Sequence, residues 1–139
     1  MKSSVVGRWL PVVVWTALIL VGTSISPRAL PRGPENSDKI AHLLMYAVLA
    51  MLLARALAEV GRGRELTGRQ AALLLVKTFI ICAVFGALDE WHQQFVQRTT
   101  SLADWIADVV GAAAGAFGLV AYLKKRKEGG HGGDAADQR

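Results

Sequence analysis

Four apolar stretches, separated by short polar segments, account for most of this chain. The first, WLPVVVWTALILVGTSIS, runs from Trp9 to Ser26 without a charge and stops at Pro27. The second runs from Lys39 to about Val60, the third from Ala71 to Phe95 and the fourth from Leu102 to Leu123. Between them lie SPRALPRGPENSD, GRGRELTGR and VQRTT, in which Pro, Gly and charged residues mark loops. Each stretch matches the ~20 residues that a helix needs to cross hydrocarbon. The pattern predicts an all-α fold, a polytopic membrane four-helix bundle with spans at about 9–26, 39–60, 71–92 and 102–123. Ser37 or Asp38 is placed to cap the second helix and Ser101 the fourth. Pro11 falls in the first turn of the first helix, where its missing N–H costs little. A basic lead followed by an apolar stretch also describes a secretory signal peptide, but no A-x-A site follows to support cleavage.

Composition narrows the class further. Of 139 residues, 53% are apolar and 19% charged, which excludes a disordered or fibrous chain and disfavours a water-soluble globule. The single cysteine, Cys82, lies inside an apolar run, so neither a disulfide framework nor a cysteine-based zinc site is available. The cations then give the bundle a side. With the N-terminus inside, the inner segments hold Lys2, Arg8, Arg55, Arg62, Arg64, Arg69 and the cluster Lys124 to Lys127. The outer loops hold only Arg28, Arg32, Lys39 and Arg98. Short cytoplasmic loops carry the excess of Lys and Arg, so both termini are expected in the cytoplasm. Lys77, near the inner end of the third span, can snorkel. Residues 1–8 then form a short cytoplasmic lead, and 124–139 a tail that is first basic and then glycine-rich and disordered. The net charge of +5 reads as orientation and lipid affinity, with no cationic face for nucleic acid.

The acids are where chemistry is expected. Of the 11 acidic residues, Asp38, Asp89, Glu90, Asp104 and Asp108 lie at span ends that this topology turns outward, together with His42 and His92. A carboxylate inside a membrane costs about 2.5–3.5 kcal/mol on insertion scales, so acids repeated at one depth require a reason. Asp38, His42 and Tyr46 fall on one helical face. Gly86, Asp89 or Glu90, Gln93 and Gln97 form a similar stripe on the third helix. On the fourth, Asp104, Asp108, Gly111, Gly115 and Gly118 recur at steps of four and three. Small residues at that spacing let helices approach closely, so this face is expected to look inward, with the glycines as packing positions. Singly, several of these residues have plainer roles: Asp38 as an N-cap, Asp104 as a first-turn acid complementing the helix dipole, His42 and His92 as hydrogen-bonded histidines. Asp108 resists the plain reading best, because it sits nearly two turns into its helix. Trp9, Trp15, Trp91 and Trp105 suit interfacial or lipid-facing positions.

Three ordered motifs resemble the VanZ-like family of small bacterial membrane proteins, named for a teicoplanin-resistance protein. They are Asp38-Lys39-Ile40-Ala41-His42 heading the second span, Asp89-Glu90-Trp91-His92-Gln93-Gln94-Phe95 ending the third, and Arg98-Thr99-Thr100-Ser101-Leu102-Ala103-Asp104 leading into the fourth. Asp108 and Gly111 continue the last of these as D-x-x-x-[ND]-x-x-G, and the likeness covers about Trp9 to Tyr122. Two departures stand out. Val96-Gln97 replaces a frequent Pro-Gly, and Asp108 stands where Asn is frequent, which adds a negative charge. The resemblance implies a multi-pass protein of the bacterial cytoplasmic membrane and cell envelope, linked in some members to lower glycopeptide susceptibility. It supplies no agreed reaction.

Carboxylates, imidazoles, one Lys and one Arg at one membrane surface suit an anionic lipid or a lipid-linked cell-wall head group; the donors are also compatible with a divalent metal, Mg²⁺, Mn²⁺ or Zn²⁺, and the sequence leaves the cofactor open. In that expectation Lys39 and Arg98 hold the anion, with Gln93 and Tyr46 also against the substrate. Asp89, Glu90, Asp104 and Asp108 act as ligands or general acid/base groups, and Asp38, His42, Asp89 and Asp108 form the metal set. No nucleophile elbow, H-E-x-x-H or phosphate loop decides between binding and turnover. Two other classes compete: a small proton- or ion-coupled transporter that uses the acids as a relay, and a structural bundle that docks an envelope partner.

Overall fold

A computed structural model describes residues 5–25, 34, 36–58, 66–96 and 101–134. Its elements are α1 (Val5–Ser24), α2 (Ser37–Leu57), α3 (Gly68–Gln93), a 3-10 turn at Gln94–Val96, and α4 (Leu102–Asp134). Each of the four helices is long and apolar enough to cross a membrane. Large apolar side chains such as Val13, Leu44, Ile80 and Phe117 stand exposed on the outside of the bundle, a surface that suits a lipid bilayer. The all-helical expectation holds, with span ends displaced by a few residues.

The displacements have local causes. Helix α1 begins at Val5, so Pro11 lies inside it and not in its first turn. The lost hydrogen bond is one that membrane helices tolerate. Asn36, and not Ser37 or Asp38, precedes α2, in the left-handed conformation (φ 62°) and without a side-chain cap. Asn adopts that backbone more readily than most residues, and Asp38 becomes a first-turn acid. Helix α3 starts at a full capping box: the Gln70 N–H donates to Thr67 Oγ1 (3.3 Å), and the Thr67 N–H donates to Gln70 Oε1 (3.0 Å). The Ser101 carbonyl accepts the first bonds of α4, from the N–H groups of Asp104 (3.0 Å) and Trp105 (3.2 Å). At its far end α4 continues through the four cations to Asp134, where the composition suggested a disordered tail. Elongating a formed helix avoids the nucleation cost that an isolated segment would face.

The central seam is between α2 and α4, which run parallel. Lys39 faces Asp104, His42 faces Asp108, and the Leu43 and Ala47 carbonyls face Gly111 and Gly115, all stepping in one direction. A Cβ on either glycine would fall inside the adjacent carbonyl oxygen, so the two backbones are as close as the absence of side chains permits. Gly118 does not share this role; it is exposed and a Cβ there would meet nothing. Beyond Gly115 the inward face of α4 passes instead through Ala116 and Val120. Helix α3 packs against both members of the pair, and α1 lies against α2 and α3 with only Val12, Ile19 and Thr23 buried. Tyr46, Leu49, Ala50, Leu53, Cys82, Ala112 and Ala116 fill the centre. Ala54, Ala71, Leu74 and Val120 close the end opposite the acids.

Two tryptophans act differently from the interfacial anchors expected of them. The Trp15 indole N–H donates to the Met45 carbonyl (2.9 Å), and that of Trp105 to the Ala83 carbonyl (3.1 Å). Each pins one helix to the backbone of its neighbour.

Candidate functional site

The polar site lies where α1 and α3 end and α2 and α4 begin. Among the described residues the buried polar side chains are Thr23, His42, Thr78, Asp89, Glu90, Gln93, Asp104 and Asp108, and all but Thr78 gather at this end. All four helices contribute.

At its centre His42 Nδ1 and Asp108 Oδ1 are 2.9 Å apart, one from each helix of the parallel pair. Both side chains are buried, Asp108 completely. The second carboxylate oxygen, Oδ2, has no hydrogen-bond partner. It points at Gly86 of α3, where an added Cβ would lie 3.1 Å from it, so the glycine makes room for this oxygen. Tyr46, one turn further along α2 from His42, is also fully buried with an unpartnered hydroxyl, and its ring packs at 5.9 Å on Phe85.

The neighbouring acids of α3 separate into two roles. Residues adjacent on a helix point about 100° apart, so Asp89 and Glu90 address different neighbours. Asp89 Oδ1 accepts from the Thr23 hydroxyl of α1 at 2.8 Å, and its Oδ2 from Gln93 Nε2 at 3.4 Å. Glu90 turns toward α4. Its Oε2 accepts from the Ser101 backbone N–H at 3.1 Å, and Gln93 Nε2 reaches its Oε1 at 3.4 Å. Gln93 therefore bridges the two carboxylates. At the rim, Lys39 Nζ lies 3.2 Å from Asp38 and 3.3 Å from Asp104.

Of the residues expected to ligate a metal, His42 and Asp108 come together, whereas Asp38 is exposed at the rim and Asp89 is engaged with Thr23 and Gln93. Glu90 takes the third place: one potential ligand atom from each of His42, Glu90 and Asp108 lies within 4.8 Å of the others. Lys39, Gln93 and Tyr46 are at or beside the cluster, and Arg98 lies outside the described residues. His92 sits apart, in a groove with Leu20, Val21 and Ser24 of α1 and Ile25 just past its end. Thr23 was not singled out in the sequence, because a hydroxyl near the end of an apolar run has no pattern of its own.

A cleft of about 330 Å³ opens between α3 and α4, lined by Ala87, Glu90, Trp91, Gln94, Ser101, Leu102 and Trp105. Its outer wall is apolar, with Trp91 and Leu102 largely exposed, and Glu90 forms its polar end.

A family model described as VanZ/LLP1 matches residues 6–124, which include all four spans and every residue of the site. No curated protein and no solved structure gave a match.

Proposed function

The chain belongs to the VanZ/LLP1 family, and from that premise and the geometry above we propose that it binds the anionic head group of an envelope lipid or lipid-linked cell-wall precursor at the polar end of its bundle. The single observation that carries this reading is the cleft between α3 and α4. It is a shallow, open hollow walled by Trp91, Leu102 and Trp105 that reaches Glu90, so a lipid-borne group lodged there would meet the edge of the buried acids. Lys39 at the rim supplies the described cation for the anion, and Gln93 and Tyr46 the neutral donors. The polar end faces outward in this reading, with both termini in the cytoplasm of a bacterial cell, as the distribution of Lys and Arg supports. Occupying or shielding a precursor head group would connect the protein to teicoplanin susceptibility.

The test is binding by the purified full chain in neutral detergent, with a polyprenyl phosphate, phosphatidylglycerol and inorganic phosphate as separate probes. Binding of the polyprenyl phosphate, weakened at least tenfold by Trp105→Ala or Lys39→Ala, is expected. Equal affinity for inorganic phosphate would remove the lipid-borne part of the reading, and no binding by any of the three would remove the whole.

A further inference from the structure

An anion does not enter a nest of acids unaided. Around the cleft's inner end the described residues place Asp89, Glu90, Asp104 and Asp108 against Lys39 and the imidazole of His42, and Lys39 is already shared between Asp38 and Asp104. Hydrogen bonds satisfy both oxygens of Asp89 and of Glu90. They do not satisfy Asp108, whose Oδ2 is buried without a partner. Nor do they satisfy the phenol of Tyr46, which stands within the field of Asp108, Asp89 and Glu90.

We infer that His42, Glu90 and Asp108 are the three protein ligands of a divalent cation. The three residues come from three helices, and their ligand atoms already converge. The 2.9 Å separation of His42 Nδ1 and Asp108 Oδ1 is the spacing of two adjacent ligands on a metal with bonds of about 2.0–2.1 Å. A cation there replaces the proton between them. Glu90 offers a ligand atom within 4.8 Å of theirs, and the Ser101 N–H and Gln93 amide bonded to it are the kind of outer partners that orient a ligating carboxylate. Gly86 is the fourth element of the design: it leaves open the space into which Asp108 Oδ2 projects, four residues before Glu90 on the same face of α3.

One imidazole with two carboxylates favours a borderline first-row ion, Zn²⁺ or Mn²⁺, over Ca²⁺. Three protein ligands leave positions free, as in sites that bind an external oxygen ligand. A head-group phosphate in those positions resolves the conflict between an acidic pocket and an anionic ligand. That last consequence rests on the head-group reading, whereas the metal site itself does not.

The experiment uses the full-length chain, stripped with a chelator in dodecyl maltoside without added lipid, and titrated with Zn²⁺ and with Mn²⁺. One equivalent per chain is expected, weakened at least tenfold by Glu90→Gln and by Asp108→Asn. Pulsed electron paramagnetic resonance of bound Mn²⁺ in the wild-type chain is expected to show nitrogen coupling from a single imidazole, a readout that stands even where a variant fails to fold. No stoichiometric binding, or bound Mn²⁺ without nitrogen coupling, overturns the site. Metal binding without uptake of polyprenyl phosphate would instead sink the head-group reading alone, and lipid uptake undiminished by chelator would detach the metal from it.

Discussion

Thr23 and Asp89 are joined across the bundle by a 2.8 Å hydrogen bond, the contact that ties the peripheral α1 to the polar end of α3. Elsewhere α1 is mostly surrounded by lipid-facing surface, and Val12 and Ile19 are its other buried residues. The nearby carbonyls of Ile19 (3.0 Å) and Leu20 (3.3 Å) compete for the same hydroxyl proton, and the carboxylate is the nearest acceptor.

Thr23→Val keeps the shape of this side chain and removes its donor. A buried acceptor that loses a partner costs about 1–3 kcal/mol. Thermal unfolding in detergent should show a lower midpoint for the variant, together with faster amide exchange in the second half of α1. An unchanged midpoint would mean that packing and the Trp15 bond to the Met45 carbonyl hold α1 without this contact.

The glycines of α4 are expected to divide sharply. Gly111→Ala and Gly115→Ala each put a methyl group into a carbonyl of α2, and relief requires the central helix pair to separate. Overpacking of this kind costs about 1–3 kcal/mol, and more where the obstacle is backbone. Gly118→Ala meets nothing and gains helix propensity of up to about 1 kcal/mol. Comparing the folded fraction of the three variants by size-exclusion chromatography checks this, and a loss at Gly118 equal to that at Gly115 would contradict it.

Those glycines also show how far the sequence could be read. The stripe from Asp104 through Asp108 and Gly111 to Gly115 is legible because all its members lie on one rigid element with a fixed period. Gly118 obeys the same period but lies beyond the point where α4 crosses α2, and a crossing angle is not written in one helix. The same reason explains why Asp89 and Glu90, alike in sequence, turn to different neighbours. The two are adjacent, and the partners that divide them, Thr23 and Ser101, belong to other elements. Thr67-x-x-Gln70, by contrast, is a local signature from which the start of α3 could have been read.

Sidedness can be tested with native Cys82 as an internal control. Its thiol is buried in the centre of the bundle, so a membrane-impermeant maleimide should leave the wild-type chain unlabelled in intact cells. Asn36→Cys, just before α2, should label from outside, and Leu66→Cys, before α3, only after the cells are opened. Labelling of Leu66→Cys in intact cells with Asn36→Cys protected would reverse the orientation that the loop cations favour.

Asp89 and Glu90 give the sharpest separation of architecture from function, because they differ in partner and hardly in position. Asp89 is held by Thr23 and Gln93, so Asp89→Asn, which keeps an acceptor for Thr23, should lower the thermal midpoint only modestly and leave head-group binding within about twofold. Glu90 ends the cleft and converges on His42 and Asp108. Glu90→Gln preserves its shape and one carbonyl acceptor for the Ser101 N–H, so the fold should survive, while polyprenyl phosphate binding in the presence of Zn²⁺ or Mn²⁺ should fall tenfold or more, because the cation that would carry the anion loses a charged ligand. A tenfold change is about 1.4 kcal/mol. Cells expressing the two variants should differ in the same sense in teicoplanin susceptibility. The reverse outcome, with binding lost at Asp89 and retained at Glu90, would place the working site between α1 and α3 instead of between α3 and α4.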